Sequence, residues 1–245
     1  MNWNEVVSKV TPVIVKIETP QGHGTGFICL YNEGSTICGI ATALHVVAHA
    51  DQWQEPIRIL HHPSETNVFL KEESRVVWVD EGLDSAVLLM HINDLKFPKD
   101  VIPLLPTEHR LPIGVEVGWL GYPAIGPHAL CFFSGNVSAF QEPRHAYLID
   151  GVAINGVSGG PVLYSTATDG VQIVGTISAY MVNRATGEAL PGLSVAQDVS
   201  HFHAIARRIK SLDEANRKKK EKEQEQQKES AAPPPPQTPQ PKSST

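Results

Sequence analysis

Apolar and polar positions alternate at period two along most of this chain. Val13–Glu18 alternates at its end and Gly26–Tyr31 follows; after a turn at Asn32-Glu33-Gly34 comes Thr36–Thr42. Further short runs of strand character are Ile57–Leu60, Val68–Leu70, Arg75–Val79, Ala86–Leu89, Val115–Leu120, Gly135–Phe140, Ala146–Ile149, Val162–Tyr164, Val171–Ala179 and Leu193–Gln197. Asp169-Gly170 stands where a tight hairpin turn is expected. Many short strands at regular spacing, broken by glycine and proline, predict an all-β sandwich or barrel. The stretch Phe97–Leu111 holds Pro98, Pro103 and Pro106 and divides the strands into two sets of similar size. The expected fold is therefore two six-stranded-type antiparallel β-barrels, one over about 10–97 and one over about 112–198.

Helical spacing is rare. Asn4 is a candidate cap for a short helix with Val6, Val7 and Val10, which Pro12 ends. Phe202, Ile205, Ile209 and Leu212 form an apolar stripe that predicts a helix over about 199–212, docked on a β-domain. Residues 1–212 read as one domain. Beyond them, 213–230 is rich in Lys, Glu and Gln and has nothing to bury, although opposite charges along it would support an extension of the helix. With Pro233-Pro234-Pro235-Pro236 following, 213–245 reads as a disordered tail, either a solvated extension or a spacer or ligand for a proline-recognition domain.

Charge and cysteine content narrow the function classes. The formal net charge is −6; residues 213–245 hold seven basic and six acidic residues, a net of +1, which leaves −7 for residues 1–212. That balance argues against an electrostatic nucleic-acid binder. Cys29, Cys38 and Cys131 do not make a disulfide framework and read as free thiols, although Cys29 and Cys38 could meet across a hairpin. The sequence from Met1 shows no signal-like start, and no apolar run is long enough to span a bilayer, so a cytoplasmic protein is expected.

The densest chemical signal is Gly156-Val157-Ser158-Gly159-Gly160-Pro161. Glycines gather where the backbone turns tightly or approaches a ligand, and a serine held there presents its hydroxyl beside backbone N–H groups. This is how an acyl-transfer nucleophile and its oxyanion hole are built together. A serine needs a base to take its proton and an anion to fix the tautomer of that base. His45 supplies the base, at the end of the apolar strand Thr36–Thr42 where a short turn is expected. Asp84 supplies the anion, opening the apolar run Ser85–Leu89; a buried carboxylate needs partners, and an imidazole N–H is one.

Three segments, Thr42-Ala43-Leu44-His45, Asp84-Ser85-Ala86-Val87-Leu88 and Gly156–Pro161, resemble in order the histidine, aspartate and serine motifs of trypsin-like serine peptidases with the chymotrypsin fold. His23-Gly24-Thr25-Gly26-Phe27-Ile28, Leu120-Gly121-Tyr122-Pro123 and Ser134–Ala139 resemble the bacterial high-temperature-requirement branch, here with no PDZ-like segment following the peptidase domain. The resemblance spans roughly 10–206. It implies a serine endopeptidase that needs no metal or cofactor. Ser158 would be the nucleophile and His45 the general base and then acid. Asp84 would orient His45, and the backbone N–H groups of Gly156 and Ser158 would form the oxyanion hole.

The departures bear on activation and specificity. Val157 stands where digestive members carry an acidic residue, so activation by a newly cut N-terminus is not expected. Val152, six residues before the serine, stands where an acid would select Lys or Arg. With Thr176, Ile177 and Ser178 as the other expected pocket wall, the resemblance implies cleavage of polypeptides after small or aliphatic residues.

Other readings of the same residues are weaker. Gly156-Val157-Ser158-Gly159-Gly160 also fits the nucleophile elbow of α/β-hydrolases, with Asp198 and His201 or His203 as partners, but that elbow is followed by a helix and this one by β-rich sequence. His45 and His49 have a zinc-like spacing without the glutamate of the metalloprotease motif. Asp80 rivals Asp84 as the acid but sits in what reads as an exposed turn. A catalytically inactive binding module and a serine esterase are the remaining alternatives.

Overall fold

The computed structural model describes residues 2–93, 95–182 and 189–230, and the side chains of these except at 179–191 and 225–230. The N-terminal helix is α1 (Trp3–Val10), capped by Asn2, whose side chain accepts from Asn4 N. The first set of strands is β1 (Ile14–Thr19), β2 (Gly22–Tyr31), β3 (Ile37–Ala43), β4 (Ile57–His61), β5 (Thr66–Leu70), β6 (Arg75–Asp80) and β7 (Ser85–His91). They form a seven-stranded antiparallel sheet in the order β5-β4-β1-β2-β3-β7-β6, curled into a half-barrel. The second set is β8 (Glu116–Gly121), β9 (Cys131–Gln141), β10 (Ala146–Asp150), β11 (Pro161–Thr166), β12 (Gly170–Val182) and β13 (Ala189–Asp198). These close into a six-stranded barrel in the order β10-β13-β12-β11-β8-β9. The two-unit β architecture expected from the alternation is present, the first unit as a seven-stranded half-barrel and the second as a closed six-stranded barrel. The expected runs Ile57–Leu60 and Val68–Leu70 pair with each other as a hairpin, β4 against β5.

The proline-bearing linker has a packing role as well as a connecting one. Leu105 N donates to Ile173 O, and Ile173 N donates to Pro103 O, both at 2.8 Å, so the linker lies along β12. Ile102, Leu105 and Leu111 of the linker are buried. The core runs continuously through both units, from Phe27, Ile40 and Leu88 to Trp119, Tyr147 and Ile173.

Two helices differ from expectation. His45 does not begin a turn; it lies in the first turn of α2 (Leu44–Gln52), which buries Val47 and Ala50 one helical turn apart. The C-terminal helix, α3 (Ser200–Ser230), does not stop near Leu212. Its first turns bury Phe202, Ile205 and Ile209. It is then tied to the β2–β3 turn, where Glu33 N donates to Asp213 Oδ2 at 2.8 Å and Arg217 meets Glu33 at 3.2 Å. The expected disordered tail is therefore helical over 213–230. The proline-rich segment and its expected partner lie outside the described residues. Cys29, Cys38 and Cys131 are free, the first two buried. No helix among the described residues is long and apolar enough to cross a membrane.

Candidate active site

The acid and base are brought together by strand register. β3 pairs with β7 so that Ala43 faces Ser85. One step further, Leu44 N donates to Asp84 O at 2.9 Å. His45 and Asp84, far apart in sequence, must therefore emerge side by side where the two strands end. Asp84 sits in the left-handed region (φ 44°), which a short polar side chain tolerates better than a branched one. That conformation turns its carboxylate back toward α2.

The carboxylate collects three donors. Oδ1 accepts from His45 N at 3.1 Å, and Oδ2 accepts from His45 Nδ1 at 2.8 Å and from the Ser178 hydroxyl. Burial pushes the Asp84 carboxyl up, but these hydrogen bonds and the attraction of a protonated His45 outweigh it and hold the group below its usual range. With Nδ1 donating to the carboxylate, the lone pair of the neutral imidazole is left on Nε2.

The serine turn joins β10 to β11 and is fixed from both sides. Gly159 N donates to Ile177 O at 2.7 Å, and Ile177 N donates to Gly160 O at 2.9 Å. From the first unit, Thr25 N donates to Ser158 O at 2.8 Å. Gly159 has φ 86°, and a Cβ there would lie 2.0 Å from Thr25 O, so both conformation and space demand glycine. Among the described residues, the backbone N–H groups of Gly156 and Ser158 are engaged by no acceptor. Unpartnered N–H groups beside a serine are free to bind an oxyanion.

Ser158 and His45 line the same open space. A cleft of about 320 Å³ is lined by His45, Asp84, Ala153, Ile154, Asn155, Ser158, Ile177 and Ser178. A second, about 210 Å³, lies on the other side of the same pair, between His23, Val46, Asn155, Gly156 and the β1–β2 turn. Among the described residues no hydrogen bond joins the Ser158 hydroxyl to His45. The resting contact of such pairs is often long and tightens on substrate.

The expected pocket wall is only partly what lines the cleft. Ile177 and Ser178 are there, but the Ser178 hydroxyl is spent on Asp84. Thr176 is buried beneath the wall, and Val152 is half exposed and away from it. Ala153, Ile154 and Asn155 take the place expected of Val152. The reason is local: Gly151 N is held by Gly192 O at 2.7 Å as the chain leaves β10, and the next residue faces outward.

The rival groups lie elsewhere. His49 bonds Glu55 at 3.1 Å, and among the described residues no cluster of His, Cys, Asp or Glu could hold a metal ion. Asp80 accepts from Leu83 N at the end of β6. His203 donates to Leu105 O, and His201 faces Trp78 O. Ser158 is followed by β11, not by the helix that an α/β-hydrolase elbow requires.

A half-barrel and a closed barrel with this cleft between them are the chymotrypsin-like fold. Residues 24–175 match the model of the trypsin-like peptidase domain, and the chain belongs to that family. Among solved structures, an inactive form of Rv3671c from M. tuberculosis H37Rv is similar at 18% identity and TM-score 0.58, covering 84% of this chain and 90% of that one. The serine endoprotease from Yersinia pestis is similar at 19% identity and TM-score 0.62, covering 85% of this chain and 66% of that one. A comparison with curated protein sequences returns no match.

Proposed function

We propose that this protein is a serine endopeptidase in which Ser158 attacks the peptide carbonyl while His45 Nε2 takes its proton. The observation that carries this reading is the pairing of His45 Nδ1 with the Asp84 carboxylate at 2.8 Å, in a cleft whose wall also holds Ser158. Asp84 fixes the tautomer and stabilises the imidazolium formed during attack. His45 then returns the proton to the leaving amine, and water repeats the sequence on the acyl-enzyme. The free N–H groups of Gly156 and Ser158 receive the negative charge on the carbonyl oxygen. Donors of this kind are worth about 3–4 kcal/mol each in the transition state. Within the family, the segments around Thr25 and Tyr122 favour the high-temperature-requirement branch.

The cleft supports a preference for small or aliphatic residues before the scissile bond. Ala153, Ile154 and Ile177 give it an apolar wall. Asp84 is the carboxylate among its lining residues and is already engaged by His45 and Ser178. Among the described lining residues no further acid stands ready to pair with a substrate Lys or Arg.

The test uses the full chain, a fluorophosphonate probe and a peptide library. The wild type should label at Ser158 and cut after Ala, Val or Leu, whereas Ser158→Ala should neither label nor cut while unfolding at the same temperature. Unchanged proteolysis in Ser158→Ala would remove Ser158 as nucleophile. A binding module would not label, and dominant cleavage after Arg would overturn the pocket reading.

A further inference from the structure

Thr25 is fully buried; its N–H and its hydroxyl are spent across the junction of the two units, and its carbonyl within the first. Its N–H donates to Ser158 O at 2.8 Å, and its carbonyl accepts from Thr42 Oγ1 at 2.7 Å. Its hydroxyl donates to Gly156 O at 2.8 Å and accepts from Tyr122 N at 2.9 Å. One side chain thus ties the serine turn to the turn that follows β8, while its backbone holds β3, the strand leading to His45.

We propose that the Thr25 hydroxyl is the positioning group that keeps the oxyanion hole formed, an inference that rests on reading Ser158 as the nucleophile. Gly156 stands between two peptide planes. In the first, Asn155 O is held by Ala124 N at 2.7 Å, and because the peptide is trans the N–H of Gly156 faces away from Ala124. In the second, Gly156 O is held by Thr25. Gly156 itself has φ 89° and no Cβ to resist rotation, so these anchors decide which way its amide faces.

Both anchors depend on the same hydroxyl. It holds Gly156 O directly, and through Tyr122 N it holds the start of the Tyr122-Pro123-Ala124 turn that carries the other anchor. The two turns are in contact, since a Cβ on Gly156 would lie 2.4 Å from Tyr122 O and 2.9 Å from Ala124 N. Without the hydroxyl, a buried N–H and a buried C=O lose their partner, and buried backbone groups do not stay unpaired. Rotation of the peptides flanking Gly156, where no Cβ opposes it, lets its carbonyl seek another donor, and it carries the N–H out of the oxyanion position.

The test compares Thr25→Val, which keeps the shape and loses the hydroxyl, with Thr25→Ser, which keeps it. Thr25→Val should lower kcat by about 100-fold, the scale of one lost oxyanion donor, with KM little changed. Thr25→Ser should restore kcat. Independently of turnover, the amide resonance of Gly156 in a ¹H–¹⁵N NMR spectrum should move in Thr25→Val and stay in Thr25→Ser. Should Thr25→Val fail to fold, Thr25→Cys, with its weaker donor, should give an intermediate kcat. Wild-type kcat in Thr25→Val or Thr25→Cys, an unmoved Gly156 resonance, or a loss shared equally by Thr25→Ser would overturn the proposal. A wild type that neither labels nor cleaves, but whose Gly156 resonance responds as described, would overturn the peptidase reading and leave this positioning role standing.

Discussion

Ser178 shows what a single side chain adds to the site. Its hydroxyl reaches Asp84 from β12, across a sequence separation of 94 residues, and joins His45 on the same carboxylate oxygen. A hydrogen bond to a charged group is worth about 1.5–3 kcal/mol. Ser178→Ala should therefore raise the Asp84 carboxyl, because one of the donors favouring its ionised form is gone. It should also lower kcat/KM by about tenfold or more as the imidazolium loses support. Titration of the Asp84 carboxyl carbon by NMR, beside steady-state kinetics, checks both; an unmoved titration would mean that the hydroxyl is not a working partner. Nothing in the sequence announces this role. His45, Asp84 and Ser158 each carry a local signal, a reactive side chain at the end of an apolar run or among glycines. Ser178 and Thr25 are small polar residues on strands, and alternation says which face they take but not what waits on that face. The resemblance puts Val152 at the pocket by counting back from the serine, and a count does not reveal the bend at Gly151, after which Val152 faces outward.

At the scale of elements, the apolar stripe of α3 was legible and its consequence can be measured. Phe202 is fully buried and meets Phe27 of β2 edge-on, with ring centroids 5.8 Å apart. Phe202→Ala leaves a cavity in the shared core and should cost about 3–5 kcal/mol of stability. Lys219→Ala, on the same helix but largely exposed, should stay within about 0.5 kcal/mol. Denaturant unfolding of the two variants separates the docked turns from the projecting ones, and equal losses would contradict the docking. The length of α3 was not legible. Beyond Leu212 no periodicity remains to read, and the ties from Asp213 and Arg217 to Glu33 join segments with no shared pattern. The helix carrying His45 was missed because its apolar content fits a strand end equally well, and register with β7, not propensity, decides where β3 stops.

Two histidines that fasten separate parts of the molecule contribute to its response to acid. His61 at the end of β4 is held between Pro12 O at 2.7 Å and the Ser64 hydroxyl at 2.6 Å. His201 at the start of α3 faces Trp78 O on β6. Burial pushes both imidazoles below their ordinary range, against the backbone carbonyl that each one faces. Above the ordinary imidazole range neither state of the protein protonates them, and their contribution is fully present. As pH falls through that range, the unfolded chain takes up protons that the folded protein refuses, so stability is lost until the lower folded pKa is passed. Glu18 and Asp84 are held below the usual carboxylate range, so their contribution is lost in a second, more acidic window. The free energy of unfolding should therefore drop between about pH 7 and pH 5, above the window in which Glu18 and Asp84 lose their contribution. In a His61→Gln/His201→Gln variant, which has no proton to take up at either place, that drop should shrink while the loss in the carboxylate window persists. Urea unfolding at a series of pH values measures both. A wild type equally stable at pH 7 and pH 5, or a double variant with an undiminished first drop, would mean that the acid sensitivity of this fold lies in other groups.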